Sequence, residues 1–371
     1  MASIDALCAA ILQWAAINGI LVDYMPIESA GDTSLVPFDE ECVEFFRTRK
    51  IVRVDVTPDS NTVLLFSRLP IAIKKKARLE SLFQARYGDD GLTLRVKETS
   101  PHTVSNRLQQ YGEYQPLKVR DGYICCGSSI GLGNQRNAGT LGALVHRKHD
   151  KEELFGITCN HVTGGCSTAR PGTPVVVPGI SDVSSEHNQI HVIGDHESAG
   201  PMAQGLPSVR DTSVNTDFAY FKLRANHVVS SQQGIGEYAY DTPTTLVKTP
   251  KVGMAVKKWG RSTGFTTGEV IEIRMTDFPI SYDIESFYSP VSSQKFTGTV
   301  FFNKLIVVQR RGKPFSLPGD SGALVVTDTG NKSRAVGIII AGNKNESLVF
   351  PLSGVLAQYG FSLAGEIHTD A

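Results

Sequence analysis

The chain has 371 residues, of which 41% are hydrophobic and 20% charged, which is typical of a globular protein with room for two or three core-bearing units. Its 37 basic and 37 acidic residues cancel to a formal net charge of zero. That balance argues against a general binder of nucleic acid or membrane surfaces, because such proteins carry a basic excess. Thirty-five glycines and 18 prolines favour a β-rich fold with many tight turns.

The first predicted element is a helix in the mostly apolar segment from Ala6 to Val22. Asp5 precedes this segment and no Lys or Arg does, so the basic start of a secretory signal is missing. Gln13 and Asn18 interrupt the run, which is also too short to span a bilayer. We therefore expect a cytoplasmic protein without a membrane segment.

Residues 1–110 are predicted to form a separate α/β domain with a regulatory or interaction role. No catalytic group of residues is visible in it. Two further helices and three strands follow the first helix, and the pattern places them at residues 38–50, 51–56, 62–66, 71–86 and 92–96.

A polar stretch containing Pro116 makes residues 111–120 the predicted linker. From Tyr123 onward, short strands alternate with turns rich in Gly, Pro, Ser and Thr, which is typical of all-β barrels. Two segments, Gly194–Thr216 and Phe278–Gln294, are interpreted as long loops, either plain surface insertions or loops that regulate access to a cleft.

The strongest motif is Gly319-Asp320-Ser321-Gly322, which Pro318 precedes and an apolar strand follows. A serine hydroxyl is a poor nucleophile unless a base and an orienting acid lie beside it. His161 follows the apolar strand at 154–157, and Asp217 begins the strand at 218–221. The chain therefore supplies a base, an acid and a serine in that order.

This order and these motifs resemble the chymotrypsin/trypsin-like serine proteases over residues 121–365. Residues 256–270, with Gly260-Arg261-Ser262-Thr263-Gly264, are similar to the hairpin that opens the second barrel in intracellular bacterial and plant members. Residues 138–145 are similar to the first strands of the first barrel.

The resemblance implies a mainly β fold of two six-stranded antiparallel β-barrels after the small α/β domain. Barrel one would occupy about residues 121–225 and barrel two about 246–363. It also implies a serine endopeptidase that hydrolyses protein or peptide substrates through an acyl-enzyme and needs no cofactor or metal. The sequence does not indicate the oligomeric state.

In this interpretation Ser321 is the nucleophile, and the N–H groups of Gly319 and Ser321 form the oxyanion hole. His161 is the general base and then the general acid. Asp217 orients the imidazole, because an apolar alternating strand directly follows it and would bury the carboxylate. Asp211, in a polar stretch, is the main alternative acid. Two other acidic residues also lie between the histidine and the serine, Asp195 and Glu197.

Asp320 is expected to find a partner within the folded chain. In zymogen-activated relatives the matching carboxylate pairs with a newly freed N-terminus, but no obvious activation site precedes the barrels here. Alignment to the family places the floor of the specificity pocket near Phe315, which would favour small or apolar side chains. The alternative is that Phe315 belongs to the core. The pocket walls would include Ser316, Ile340 and Gly342.

The six cysteines show no regular disulfide framework, so free thiols are expected, with a Cys159–Cys166 bridge as the alternative. A zinc site is not predicted, because the paired C-x-x-C spacing is missing. The cysteines and histidines that could otherwise be considered as zinc ligands are Cys125, Cys126, Cys159, Cys166, His146 and His149.

Two other functions stay open. The barrels could form a catalytically inactive scaffold that binds peptides or partner proteins. Alternatively, the chain is a latent protease whose N-terminal domain binds a regulatory protein or ligand.

Overall fold

A computed structural model describes most of the chain, which is mainly β with a small α/β region at its N-terminal end. The described residues are 4–22, 33–56, 61–99, 102–105, 115–183, 189–207, 210–224, 229–289 and 291–367.

The N-terminal unit packs three helices on a three-stranded sheet in the order β1-β2-β3, with β1 and β2 antiparallel and β2 and β3 parallel. Asp39 begins the second helix by accepting a hydrogen bond from the Cys42 N–H. A short fourth strand follows this sheet. The elements are α1 (Ile4–Ile17), α2 (Glu40–Arg49), β1 (Ile51–Val56), β2 (Thr62–Ser67), α3 (Ile73–Tyr87), β3 (Thr93–Glu98) and β4 (Thr103–Ser105).

The core of this unit is one apolar cluster that includes Ile11, Phe46 and Phe83, all fully buried. The cluster also contains Leu206 and Phe301 from the β-rich part of the chain. The N-terminal unit is therefore packed against the rest of the molecule. Residues 106–114, which include the start of the predicted linker, lie outside the described residues.

In its described residues, the first half of the β-rich region contains eleven strands and one α-helical turn, besides 3₁₀ turns at Ile180–Asp182 and Thr212–Val214. They are β5 (Val119–Arg120), β6 (Tyr123–Cys126), β7 (Ser129–Leu132), β8 (Gly139–Thr140), β9 (Ala143–Arg147), β10 (Asp150–Thr158), α4 (Asn160–Thr163), β11 (Pro174–Val177), β12 (His191–Ala199), β13 (Ala219–Leu223), β14 (Val229–Gln233) and β15 (Tyr240–Asp241).

The second half contains nine strands and one helix. They are β16 (Ala255–Gly260), β17 (Gly264–Arg274), β18 (Phe278–Ser289), β19 (Ser292–Phe302), β20 (Leu305–Gln309), β21 (Leu324–Thr327), β22 (Ala335–Gly342), β23 (Ser347–Pro351), α5 (Leu352–Gln358) and β24 (Phe361–Ala364).

Six strands of the second half close into a barrel in the order β16-β17-β20-β23-β22-β21. Seven strands of the first half and β24 form an eight-stranded sheet in the order β24-β9-β10-β13-β12-β11-β7-β8, and the other four first-half strands form a sheet in the order β15-β14-β6-β5. This confirms the predicted mainly β class, with one closed six-stranded barrel. The other half differs from the predicted six-stranded barrel, because the C-terminal strand β24 crosses back to pair with β9.

The two segments interpreted as long loops contain strands. The segment Gly194–Thr216 begins in β12, and Phe278–Gln294 covers β18 and the start of β19. These two strands pair over nearly their whole length as an antiparallel hairpin, and β4 adds to it in parallel as the third strand of the sheet β19-β18-β4. The hairpin forms because alternate residues of β18 are buried, as in a half-buried strand.

No helix in the described part of the chain is long and apolar enough to cross a membrane.

Candidate active site

His161 and Asp217 form a buried hydrogen-bonded pair in the first half. His161 lies in α4, just after β10, and Asp217 lies just before β13. Because β10 and β13 pair with Thr158 opposite Ala219, the two side chains meet at the end of the ladder. His161 Nδ1 is 2.7 Å from Asp217 Oδ2, and the His161 backbone N–H donates to Oδ1 at 3.1 Å. The carboxylate thus holds the tautomer in which Nδ1 carries the proton and Nε2 is free to accept one.

Asp217 also accepts a hydrogen bond that the sequence analysis missed. The hydroxyl of Tyr282, in β18, donates to Asp217 Oδ2 at 3.0 Å. The Tyr282 ring lies 5.7 Å from the His161 ring, measured between centroids. Burial and the charge of Asp217 raise the pKa of Tyr282 well above its usual value, so this phenol stays neutral and donates. A fully buried carboxylate needs such donors, because its desolvation would otherwise be costly.

The alternative acids lie elsewhere. Asp211 is exposed and accepts hydrogen bonds from the N–H and hydroxyl of Ser213. Asp195 forms an ion pair with Arg224 at 2.6 Å. Neither arrangement brings a carboxylate to the imidazole.

Cys159, His161 and Asp217 also lie together: in the described part of the chain their potential metal-ligand atoms are all within 4.8 Å of one another. The Cys159 thiol donates to the carbonyl of Ile339 at 3.0 Å. Burial and the charge of Asp217 raise the pKa of this thiol well above its usual value. A sulfur nucleophile must be a thiolate, so this neutral thiol does not suit the role of nucleophile. Cys126, another of the cysteines considered as zinc ligands, donates its thiol hydrogen to the carbonyl of Ser230.

The turn that carries Ser321 is held against the first half by its backbone. The Ser321 carbonyl accepts from the Thr140 N–H at 2.8 Å, and the Gly322 N–H donates to the Ile339 carbonyl at 2.8 Å. That carbonyl also accepts from Cys159, two residues before His161. The serine turn and the residue before the histidine helix are therefore bonded to the same backbone carbonyl, that of Ile339. Among the described residues, no hydrogen bond joins the Ser321 hydroxyl to His161.

Two glycines let the halves approach under this site. A Cβ on Gly139 would lie 2.4 Å from Val162 Cγ2 and 2.9 Å from the Ser321 carbonyl oxygen. A Cβ on Gly142 would lie 2.2 Å from the carbonyl oxygen of Gly322. Only glycine permits this backbone contact. The contact brings the Ser321 turn against the residue that follows His161.

Within the turn, the amides alternate between bonded and unbonded. The N–H groups of Asp320 and Gly322 donate to backbone carbonyls. Those of Gly319 and Ser321 have no acceptor among the described residues. Gly319 has φ of +98°, and a Cβ there would lie 2.3 Å from Arg261 Nη1. Only glycine fits that conformation and space, and the arrangement leaves two donors available for an external oxygen.

Asp320 finds its partners within the chain, as the sequence predicts. Its fully buried carboxylate accepts from the N–H groups of Ser262 and Thr263, at 2.8 and 3.2 Å, and from the Thr263 hydroxyl at 2.7 Å. The ammonium of Lys258, also fully buried, lies 3.4 Å away. Burial lowers the pKa of Lys258, and the charge of Asp320 opposes that fall. The G-R-S-T-G hairpin therefore positions the serine turn.

The residues aligned with a specificity pocket divide into two groups. Phe315 is 2% exposed and belongs to the apolar cluster inside the closed barrel, together with Val270 and Val308. This burial favours the interpretation that Phe315 belongs to the core, because its ring packs against apolar side chains there. Ser316 donates to the Ser347 hydroxyl at 2.6 Å, and a Cβ on Gly342 would lie 3.1 Å from Ser316 Oγ. Ser316 and Gly342 are therefore neighbours, whereas Ile340 is buried in the larger apolar cluster.

Several known proteins are similar to this chain. Residues 109–355 match the sequence profile of the Nal1 C-terminal domain. Protein NARROW LEAF 1 of Oryza sativa subsp. japonica is 27% identical over 235 residues, which cover 60% of this chain and 37% of that protein. The chain thus matches little more than a third of that relative's length.

Solved structures with a similar chain path include two bacterial proteases. Thermobifida fusca Protease A is 15% identical with a TM-score of 0.40, covering 65% of this chain and 98% of that one. Cellulomonas bogoriensis chymotrypsin is 18% identical with a TM-score of 0.38, covering 65% of this chain and 97% of that one. The profile match extends over most of the β-rich region, and on that ground the chain belongs to the Nal1 C-terminal domain family.

Proposed function

We propose that this chain is a serine endopeptidase that works through an acyl-enzyme. The observation that carries the proposal is the buried His161–Asp217 pair at 2.7 Å, beside a serine turn whose Gly319 and Ser321 amides have no acceptor among the described residues. These parts correspond to a base, an orienting acid and an oxyanion hole.

In the proposed reaction Ser321 Oγ attacks the scissile carbonyl carbon while His161 Nε2 takes the hydroxyl proton. Asp217 stabilises the imidazolium through Nδ1. The carbonyl oxygen becomes an oxyanion that accepts from Gly319 and Ser321, and each such donor is typically worth about 3 kcal/mol in the transition state. The C–N bond then breaks, and the amine leaves with the proton from Nε2. Water attacks the acyl-enzyme by the same route and regenerates the serine.

The absence of a hydrogen bond between the Ser321 hydroxyl and the imidazole, both in the described part of the chain, is compatible with this route. Catalytic hydrogen bonds are often long in unliganded enzymes and shorten when substrate binds. The serine hydroxyl reorients by rotation about one side-chain torsion, which costs little compared with a backbone movement.

The serine turn needs no cleavage to assemble. Asp320 is paired internally with Lys258 and the 262–263 backbone, so a freed N-terminus has no carboxylate left to join. Restraint of an intracellular protease would then come from another part of the chain. We assign that regulatory role to the N-terminal unit, which packs against the β-rich region through Leu206 and Phe301.

A fluorophosphonate probe tests the proposal directly. The purified chain should be labelled at Ser321, located by mass spectrometry of the labelled peptide. Labelling should disappear in Ser321→Ala and fall to background in His161→Ala. His149→Ala is the matched control, because His149 is exposed and should leave labelling unchanged. Equal labelling of His161→Ala and the unmodified chain would refute the assigned base.

A catalytically inactive peptide-binding scaffold is the second candidate. The missing Ser321–His161 hydrogen bond among the described residues favours it. Incubation with a diverse peptide library, read by mass spectrometry, separates the two functions. New termini that vanish in Ser321→Ala support the protease, whereas bound but uncleaved peptides support the scaffold.

A further inference from the structure

The β18–β19 hairpin contributes directly to the candidate active site through Tyr282. Its hydroxyl donates to the same Asp217 oxygen that accepts from His161 Nδ1. The two donors approach that oxygen at 3.0 and 2.7 Å. Tyr282 is therefore placed to fix the carboxylate that orients the imidazole.

The Tyr282 ring is held rigidly in place. It is 1% exposed and makes edge contacts with Phe296 and Phe302 of β19, at centroid distances of 6.4 and 6.2 Å. A ring packed in this way loses little additional entropy when its hydroxyl donates, so the bond is preorganised.

The strand that leaves the N-terminal unit pairs with the hairpin at this residue. In the parallel ladder of β4 and β18, Val104 is opposite Tyr282, and the Ser281 N–H donates to the His102 carbonyl at 3.0 Å. A shift of β4 therefore acts on the backbone of Tyr282 itself. Since the ring of Tyr282 lies against the active-site pair, the shift would reach Asp217.

Buried charges tie the same strand to the N-terminal sheet. His102, just before β4, lies 3.2 Å from Glu346 Oε1 and packs edge-on against Phe278 at the start of the hairpin. Arg53 of β1 lies over the Phe278 ring at 4.7 Å and 3.5 Å from the same Glu346 oxygen. The N-terminal sheet, β4 and the hairpin are thus joined by continuous buried contacts.

We propose that Tyr282 is a positioning residue for Asp217, and that β4 couples the N-terminal unit to the active site by holding Tyr282 in place. The inference rests on the proposed protease function and adds its route of regulation. Movement of the N-terminal unit would change the Tyr282–Asp217 contact, and with it the orientation of His161.

Tyr282→Phe tests the first step, because it removes the hydroxyl and keeps the buried ring. Hydrogen bonds to charged groups are strong, so we expect kcat to fall about 10-fold with KM unchanged. A carboxylate with one donor fewer attracts the imidazolium proton more strongly, so the acidic limb of the pH–rate profile should move to higher pH. Tyr220→Phe is the control, because Tyr220 is buried in the first half away from this contact.

Val104→Pro tests the second step. Proline cannot donate to the strand ladder, so it weakens the β4–β18 pairing. Val104→Ala is the matched control that trims the side chain and keeps the amide. We expect the proline variant to lose activity several-fold more than the alanine variant, and to add little in a Tyr282→Phe background. Additive losses in the double variant would overturn the coupling through Tyr282.

An NMR titration of His161 keeps this inference separate from the protease proposal. If Tyr282 positions Asp217, His161 should stay protonated to higher pH in Tyr282→Phe than in Tyr220→Phe, whether or not peptides are cleaved. An inactive chain with that shift would refute the protease and support the positioning role. If the chain is active and Tyr282→Phe changes neither its rate nor the titration of His161, the positioning role is refuted.

Discussion

The candidate site has two sides that are built differently. The serine side consists of residues 317–322 and the hairpin 258–264, and the groups that support its aspartate come from the second half of the β-rich region. The histidine side consists of His161, Asp217 and Tyr282, drawn from both halves. Each side centres on a fully buried aspartate with several donors. Asp320 fixes a turn within one barrel, whereas Asp217 depends on a contact between distant segments.

If the N-terminal unit regulates the proposed protease, this difference predicts on which side of the site it acts. On the serine side, the Asp320 carboxylate is bonded within the second half, with a buried ammonium as counter-charge. The histidine side has a connection, through Tyr282 and β4, to the N-terminal unit. We expect the serine side to tolerate changes in the N-terminal unit and the histidine side to respond to them.

Asp217→Asn should have the largest effect on activity. The amide cannot stabilise the imidazolium and favours the wrong tautomer, so kcat should fall about 10⁴-fold. Steady-state hydrolysis of a cleavable peptide measures the loss, and circular dichroism checks that the variant folds. A loss below about 10-fold would mean that another group orients His161.

Lys258→Met should have the largest effect on stability. It leaves the Asp320 carboxylate buried without its counter-charge, and breaking a buried pair in this way typically costs about 3 kcal/mol or more. Urea unfolding measures the change in free energy. Lys222→Met is the control, because its pair with Glu153 is exposed and should change the free energy of unfolding much less. Equal losses of stability in the two variants would show that the Lys258–Asp320 pair stabilises the fold no more than an exposed ion pair does.

A pH-dependent loss of stability should arise in the first half, at His196 of β12. Burial lowers the pKa of His196 from 6.5 to about 4. Between pH 6.5 and pH 4 His196 is protonated in the unfolded chain but neutral in the folded chain. The contribution of His196 to stability is therefore complete above pH 6.5 and decreases as the pH falls towards 4. The loss should reach about 2 kcal/mol at pH 4.5.

Urea unfolding at pH 7.5 and 4.5 measures that loss, with His196→Phe as the comparison. The variant lacks the titrating group, so its stability should depend less steeply on pH. Parallel curves for the two proteins would show that His196 does not carry the effect.

Asp211→Asn should have the smallest effect. Its carboxylate is exposed and accepts hydrogen bonds from Ser213, so activity should stay within about twofold and stability should change little. A large loss of fluorophosphonate labelling in this variant would indicate that Asp211, and not Asp217, is the acid that orients His161.

Local sequence predicted the serine side well. The turn at 319–322 and the hairpin at 260–264 are contiguous motifs, and Asp320 finds the internal partner that was expected. Lys258 was not singled out, because a lysine in a strand is ordinarily solvated and its partner lies far along the chain. Contact between His161 and Asp217 was predicted from position alone, and the β10–β13 ladder supplies it. Their catalytic roles stay predictions.

Long-range pairing explains what the sequence analysis missed. The strand β24 pairs with β9, more than two hundred residues earlier, and no local pattern indicates such a partner. Tyr282 was missed because residues 278–294 were interpreted as a loop. The signal was nevertheless present: Phe278, Ile280, Tyr282 and Ile284 alternate with less buried residues, which is the period of a strand.

The contact of backbone on backbone at Gly139 and Gly142 sets a limit for engineering. Any methyl group added there would wedge the two halves apart, since the neighbouring oxygens lie within 3 Å of its position. Variants designed to test the proposed function should therefore leave both glycines unchanged.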